Sequence, residues 1–224
     1  PDFQLIETLL FRRDNAFFLL DYHLDRLEDS ARYFHFSYDA ECVRLQLDQE
    51  AQKIQKAFEI DTNLKRWRVR LLLHRDGRTE ITSVPLPKEM HVSAPLKVIL
   101  SRHQVEANNP YLQHKTTRRD LYNREYALAS EQGCYEVLFF NTDGEITEGA
   151  VSNIFLQVKE HAALLTPPVG CGLLAGTYRR MLLEQGRAVE RVLTVDDVLS
   201  ARKVYVANSV RGLVRVRLVI SESV

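Results

Sequence analysis

Two Asp-Gly steps, Asp76-Gly77 in HRDG and Asp143-Gly144 in NTDG, each stand between extended apolar runs. A tight turn of this kind needs positive φ, which Gly adopts at no steric cost and Asp tolerates, so each step reverses the chain into an antiparallel hairpin. The first predicts strands over Trp67–Leu73 and Arg78–Val84, the second a hairpin through EVLFFNTDGEITEG. A third hairpin is expected near the start, where FQLIETLL and AFFLL flank the charged turn RRDN. Helices interrupt these hairpins. Leu24, Leu27, Ala31 and Phe34 recur every three or four residues in HLDRLEDSARYFHF, and further helical patterns run from Asp39 to Phe58, from Thr116 to Gln132 and through TYRRMLLEQG, with Gly186 as its stop. LKVILS, SNIFLQV, ERVLTV and KVYVANSV read as strands, and DDVLSA as a short helix. Strands joined by both hairpins and helices exclude a regular parallel repeat and leave an α+β or mixed architecture.

The pattern lapses between Arg102 and Pro110, after the connector PLPKEMHVSAPL and the strand LKVILS. This places an N-terminal domain at 1–101, a linker at 102–110 and a C-terminal domain at 111–224. With 224 residues, 45% of them hydrophobic, the chain can bury a core in each. Lys+Arg and Asp+Glu balance at 30 each, so no net field draws the chain to nucleic acid or to an anionic membrane. Cys42, Cys134 and Cys171 are widely spaced and form no C-x-x-C pair, which argues for a reducing compartment and against a disulfide or zinc framework. No His pair has metal-binding spacing, and the apolar runs are too short to span a bilayer. The expectation is a cytoplasmic protein without a metal site.

Chemistry concentrates around Lys115, which follows an Asn-Asn-Pro turn, and Glu148 in NTDGEITEGAVSN. Either one alone is an ordinary surface charge. Together, a nucleophilic lysine and a carboxylate able to hold a pyridinium nitrogen are the parts of a pyridoxal-phosphate site. The loop GCGLLAG opens at Gly176 onto a helix beginning Thr177-Tyr178, where first-turn amides and the helix dipole suit a phosphate. Its G-x-G-x-x-x-G spacing, preceded by two prolines, does not fit a dinucleotide fingerprint. NSVRG adds Asn208 and Ser209 as polar donors in a strand-to-loop turn.

In order along the chain, IET, HLDRLEDSA, Lys115 followed eighteen residues on by GCYEVLFF, ITEGAVSNIF, LLAGTYR and ANSVRG resemble the aminotransferase class IV group of pyridoxal-phosphate enzymes, over nearly the whole chain. The resemblance implies a two-domain α+β fold of type IV, like D-amino acid aminotransferase. It implies pyridoxal 5'-phosphate as cofactor, held covalently by Lys115, which later moves protons. Arg26, Asn153, Gly176, Thr177, Tyr178 and Ser209 are implied around the cofactor, with Glu148 on its ring nitrogen. Within the group, the Asn-Pro lead into Lys115, Thr8 in IETLL and Asp120 where branched-chain enzymes carry tyrosine are similar to aminodeoxychorismate lyases. That implies conversion of 4-amino-4-deoxychorismate to 4-aminobenzoate and pyruvate, with Thr8 beside Lys115 in catalysis. The family's arginine-glycine loop is shortened here to HRDGR, leaving Arg75, Val210 and Arg211 as candidate substrate contacts. The alternatives are an aminotransferase for a branched-chain or D-amino acid and a non-catalytic domain that keeps the fold. A homodimer is implied, as is an attached or separate aminodeoxychorismate synthase, since the chain starts at Pro1 without the family's opening strand, as a domain cut from a fusion would.

Overall fold

A computed structural model describes residues 3–14, 16–87, 94–159 and 161–219. The chain forms two compact units, one of residues 1–91 with 114–118 and the other of 92–113 with 119–224.

In the first unit the elements are β1 (Leu5–Arg12), β2 (Ala16–Phe18), α1 (Leu20–Phe34), α2 (Ala40–Ile60), β3 (Arg66–Leu73) and β4 (Thr79–Pro85). The strands form an antiparallel sheet in the order β2-β1-β3-β4. β1 and β2 pair antiparallel from Leu10 opposite Phe18 to Arg12 opposite Ala16, which is the hairpin expected at the start; β1 also pairs with β3 from Leu5 opposite Leu73 to Arg12 opposite Arg66, and Gly77 takes the positive φ of the HRDG turn. Helix α1 buries Leu24, Leu27 and Ala31 as the periodicity predicts. Helix α2 starts where the Asp39 side chain accepts the Cys42 amide at 3.0 Å, and it buries Val43, Leu47, Ala51, Ile54 and Phe58 along one stripe. Leu47 and Ile54 are fully enclosed, and each such side chain contributes roughly 1.5–3 kcal/mol over leaving it in water.

The second unit holds β5 (Leu96–Leu100), α3 (Pro110–Gln113), α4 (Asp120–Glu131), β6 (Glu136–Phe140), β7 (Ile146–Gly149), β8 (Asn153–Gln157), β9 (Leu164–Thr166), α5 (Thr177–Glu184), β10 (Ala188–Glu190), α6 (Val195–Ser200), β11 (Lys203–Asn208) and β12 (Gly212–Leu218). Its sheet runs β10-β9-β8-β11-β12-β5-β6-β7, and β7 returns to pair with β8, so the strands from β8 round to β7 close into a ring. Side chains alternate between the two faces of the sheet. Val98, Leu138, Ile146, Ile154, Leu156, Leu165, Val204, Val206 and Val216 meet in one core. Val137 and Phe139 turn the other way against Tyr122 and Ala129 of α4, and Phe155 and Ala207 against Leu182 of α5.

The units do not divide where the sequence suggests. Strand β5 was expected in the N-terminal domain, yet it is hydrogen-bonded between β12 and β6. The helix expected from Thr116 begins only at Asp120, because Leu5 and Thr116 form an antiparallel bridge that keeps 115–117 extended and in the first unit. The strand expected over ERVLTV is β10, shifted upstream to Ala188–Glu190, while β9 and β12 were not anticipated. Of the connector over 85–96, residues 88–93 lie outside the described residues.

One glycine fixes how the second unit's long loop packs. Gly172 has φ +92°, and a Cβ there would lie 2.6 Å from Ala107 Cα, a backbone atom that cannot step aside. Gly172→Ala is expected to lower stability by about 2 kcal/mol, through both the strained φ and the overlap. Urea denaturation measures this, and an unchanged midpoint would contradict the packing described.

Candidate active site

In the first unit the site-bearing residues converge on β1. The Ile6 amide donates to the Lys115 carbonyl at 2.9 Å, the Thr117 amide donates to the Gln4 carbonyl at 2.9 Å, and the Gln4 amide donates to Thr117 Oγ1 at 2.9 Å. Lys115 is therefore held on a short extended segment beside the strand that carries Thr8, not at the mouth of a helix. Next to it, His114 shares a 2.9 Å hydrogen bond with Ser30 Oγ and packs its ring against Tyr33 and Phe34.

Arg26 points from α1 back to β1. Its Nε and Nη2 donate to the two carboxylate oxygens of Glu7, at 2.9 and 2.6 Å. His23, one turn earlier, brings Nδ1 to 2.6 Å from the same carboxylate. Glu7 and His23 are 2% and 1% exposed, so this is a buried cluster of three ionisable groups. Burial alone would raise the Glu7 pKa, but the Arg26 guanidinium and His23 outweigh it and hold the carboxyl at about 2. Burial lowers the pKa of His23, Glu7 opposes that, and the charges of Arg26 and Lys115 add to the lowering. The ring is thus neutral near pH 7, with its Nδ1–H donated to Glu7. Neither Glu7 nor His23 stood out in the sequence, where both sit inside apolar periodic patterns. Arg75 is turned to its own unit's frame: its Nη1 donates to the Phe34 carbonyl at 2.9 Å, and its guanidinium lies 4.7 Å from the Phe36 ring centroid.

In the second unit a buried carboxylate organises the turn after β7. Glu136 accepts the amides of Val137, Ala150 and Val151 at 3.1, 3.0 and 3.3 Å and the Ser152 hydroxyl at 2.8 Å. Gly149 has no side chain because a Cβ would meet Glu136 Cγ at 2.8 Å. This turn sets Glu148 opposite Asn153 in the pair that closes the ring of strands. Asn153 Nδ2 donates to Glu148 Oε2 at 3.3 Å and to the Leu174 carbonyl at 2.9 Å, tying the carboxylate to the glycine loop. Tyr122 OH approaches Glu148 Oε1 at 3.4 Å, and burial followed by the Glu148 charge raises the Tyr122 pKa well above its usual value, so the phenol stays a donor.

Gly176 is the N-cap of α5 and brings no side chain to the cap; a Cβ there would fall on the Asn153 amide oxygen. The turn after β11 is tied back to the turn after β7. Asn208 Oδ1 accepts the amides of Val210 and Arg211 at 3.0 and 2.9 Å, and Asn208 Nδ2 donates to the Val151 carbonyl at 2.9 Å. Tyr178 OH lies about where a Cβ on Gly212 would touch it, at 4.0 Å. The unit therefore gathers Glu148, Asn153, Gly176, Thr177, Tyr178 and the Ser209–Val210 turn. Arg211 leaves this group: it lies over Tyr135, 5.1 Å from its ring centroid, with Nη2 donating to Tyr126 OH at 3.4 Å. No cluster of potential metal ligands occurs among the described residues, and no helix among them is long and apolar enough to cross a membrane.

The family model of amino-transferase class IV matches residues 4–219, a span that takes in both sets of residues. The chain belongs to that family. A provisionally named aminodeoxychorismate lyase of Schizosaccharomyces pombe is 30% identical over 224 residues, covering 96% of this chain and 90% of the relative. The bifunctional aminodeoxychorismate lyase / D-amino acid transaminase of Mycobacterium tuberculosis is 28% identical over 246 residues, covering 95% of this chain and 80% of its own. Among solved structures, a provisionally named amino-acid aminotransferase from Mesorhizobium loti superposes with a TM-score of 0.85 at 34% identity, covering 97% of this chain and 100% of that one. The α+β fold of type IV expected from the sequence is the fold these proteins share.

Two outcomes follow from these geometries. Gly176→Ala drives a methyl group into the Asn153 amide, removing one donor from Glu148, and should cost about 2 kcal/mol by urea denaturation. Restoring space with Gly176→Ala/Asn153→Ala should recover part of that loss, and a purely additive double variant would speak against the contact. For Glu7, the carboxyl is lowered from the ordinary 4.5 to about 2 on folding, so unfolded chains take up its proton first. Its stabilisation is complete above pH 4.5 and disappears as pH falls toward 2. Glu7→Gln should cost about 3 kcal/mol at pH 7 and flatten the acid limb between those values, measured by denaturation at stepped pH.

Proposed function

We propose that the protein is a pyridoxal-phosphate-dependent lyase that converts 4-amino-4-deoxychorismate to 4-aminobenzoate and pyruvate. The observation that carries this reading is the pairing of Gln4–Ile6 with Lys115–Thr117, which holds the lysine beside the strand of Thr8, the position where lyases of this family carry a threonine. The lyase names of the Schizosaccharomyces and Mycobacterium relatives support it.

The residues present fit the cofactor. Gly176 leaves the start of α5 bare of side chain, as close approach of a phosphate requires, with Thr177, Tyr178 and Ser209 adjoining. Glu148 is a buried carboxylate with neutral donors beside it, suited to keep a pyridine nitrogen protonated. Arg26 supplies a planar fork for phosphate oxygens. When bound, pyridoxal phosphate supplies the electron sink that lets a proton leave the carbon bearing the substrate's nitrogen. Lys115 would be the residue that takes that proton, at Nζ. A lysine acts as a base only in its uncharged form. Enolpyruvate leaves from the adjacent carbon as the ring becomes aromatic, and the proton returns to it as it becomes pyruvate, so no oxidant or water is consumed.

Transamination is the second reading, favoured by the 34% identity to the Mesorhizobium aminotransferase. It needs a keto acid as second substrate. Purified protein supplied with pyridoxal phosphate and 4-amino-4-deoxychorismate, without keto acid, should form 4-aminobenzoate and pyruvate over many turnovers. Silence with that substrate, alongside turnover of an amino acid and keto acid pair, selects the aminotransferase. Lys115→Ala should abolish both the turnover and the visible absorbance that the cofactor acquires on a lysine.

A further inference from the structure

Glu136 has no part in the chemistry proposed above, yet its side chain is fully enclosed in the second unit, at 0% exposure. Burial pushes its carboxyl pKa up, with the Ser152 hydroxyl and the turn amides opposing, so the group stands in strand β6 at a cost. Packing does not require it there, because Leu138 fills one face of the sheet and Val137 and Phe139 the other. What the carboxylate does deliver is the shape of the turn 149–152. Its Oε1 accepts the amides of Val137 and Ala150, and its Oε2 accepts the Val151 amide and the Ser152 hydroxyl. The Gly149 amide closes the same turn on the Ser152 carbonyl at 2.7 Å. From the other side, the Ala150 carbonyl accepts Arg119 Nη2 at 2.5 Å and the Val151 carbonyl accepts Asn208 Nδ2 at 2.9 Å. The turn is thus gripped through its amides by one buried group and through its carbonyls by two others. The residues that flank it are Glu148 and Asn153, the pair that closes the ring of strands. One peptide bond joins Glu148 to Gly149, so a turn that relaxes takes the Glu148 carboxylate with it.

We infer that Glu136 is a positioning residue that fixes, through the turn 149–152, the direction in which Glu148 meets the cofactor's ring nitrogen. This rests on the cofactor reading given above, and every protein group it invokes belongs to the second unit. The consequence is confined to one atom of the ligand: losing Glu136 weakens recognition of the ring nitrogen and spares the aldehyde and the phosphate. The Ser209–Val210 turn is spared because Asn208 Oδ1 holds the Val210 and Arg211 amides on its own. A residue that only stabilises the sheet would affect all parts of the ligand alike.

Pyridoxal 5'-phosphate can be compared with its carbon isostere, in which a C–H replaces the ring nitrogen while the aldehyde and phosphate remain. Calorimetric titration of the full-length protein stripped of ligand gives both affinities. The wild type should prefer pyridoxal phosphate by about tenfold or more, the worth of a hydrogen bond between charged groups. Glu136→Gln keeps the shape of the side chain but cannot accept from all four donors. It should cut that preference to about threefold or less while changing the affinity of the isostere about twofold or less. Should Glu136→Gln fold poorly, Ser152→Ala removes one of the four donors and should narrow the preference in the same direction. A folded variant that weakens both compounds equally, or keeps the wild-type preference, overturns the inference and leaves the cofactor reading in place. Wild-type protein that binds both compounds equally well overturns the assignment of Glu148 to the ring nitrogen. Wild-type protein that binds neither overturns the cofactor reading, and in both of these cases the inference falls as well.

Discussion

The cross-strand pair of Glu148 and Asn153 is the contact on which the second unit turns. Sheet edges must be paired or covered, and a ring of strands removes them altogether. Here the ring closes at one residue pair, and that pair consists of two polar side chains. The closing turn cannot rely on apolar packing, so its backbone amides are gathered by the Glu136 carboxylate. Asn153 then extends the closure sideways by holding the glycine loop that leads into α5. Fold closure and the assembly of polar groups are in this unit one event.

The first unit solves a related problem by opposite means. Its sheet is open, and it packs its polar machinery between β1 and α1 as a shielded cluster of Glu7, His23 and Arg26. Low exposure strengthens each of these contacts and makes any loss expensive, so the cluster is rigid for the same reason that it is costly. A neutral His23 serves better here than a charged one, because a second cation would compete with Arg26 for the carboxylate. Burial first, and then the charges of Arg26 and Lys115, lower its pKa although Glu7 opposes them.

Much of this was legible in the sequence wherever a local rule decides the outcome. The Asp-Gly turns made their hairpins, the apolar stripes of α1 and α2 were buried, and the glycine loop did lead into a helix at Thr177. Legibility failed where long-range pairing overrides local preference. Residues 116–119 continue a helical pattern, yet bridging to Leu5 keeps the segment extended. Strand β5 looks like the end of the first domain but finds its partners more than thirty residues downstream, in β6 and β12. Glu136 and Glu7 were hidden for another reason: each lies within an apolar strand, where a lone charge reads as a residue facing solvent. Only three-dimensional neighbours, Ser152 for one and Arg26 for the other, show that these charges point inward. Arg75 and Arg211 were candidates because they are cations near the right motifs, and both are held by aromatic rings of their own units.

The segment 114–118 belongs to one unit in space and is flanked in the chain by the other. The first unit is consequently a body that no single cut of the polypeptide can release whole. On the ribosome, the amides of Gln4 and Ile6 emerge long before Thr117 and Lys115, the partners that will satisfy them. Until then the leading edge of β1 is an unpaired strand end, the kind that seeks pairing with other chains. The segment 115–117 is thus also a late-arriving cover for the strand end at Gln4–Ile6.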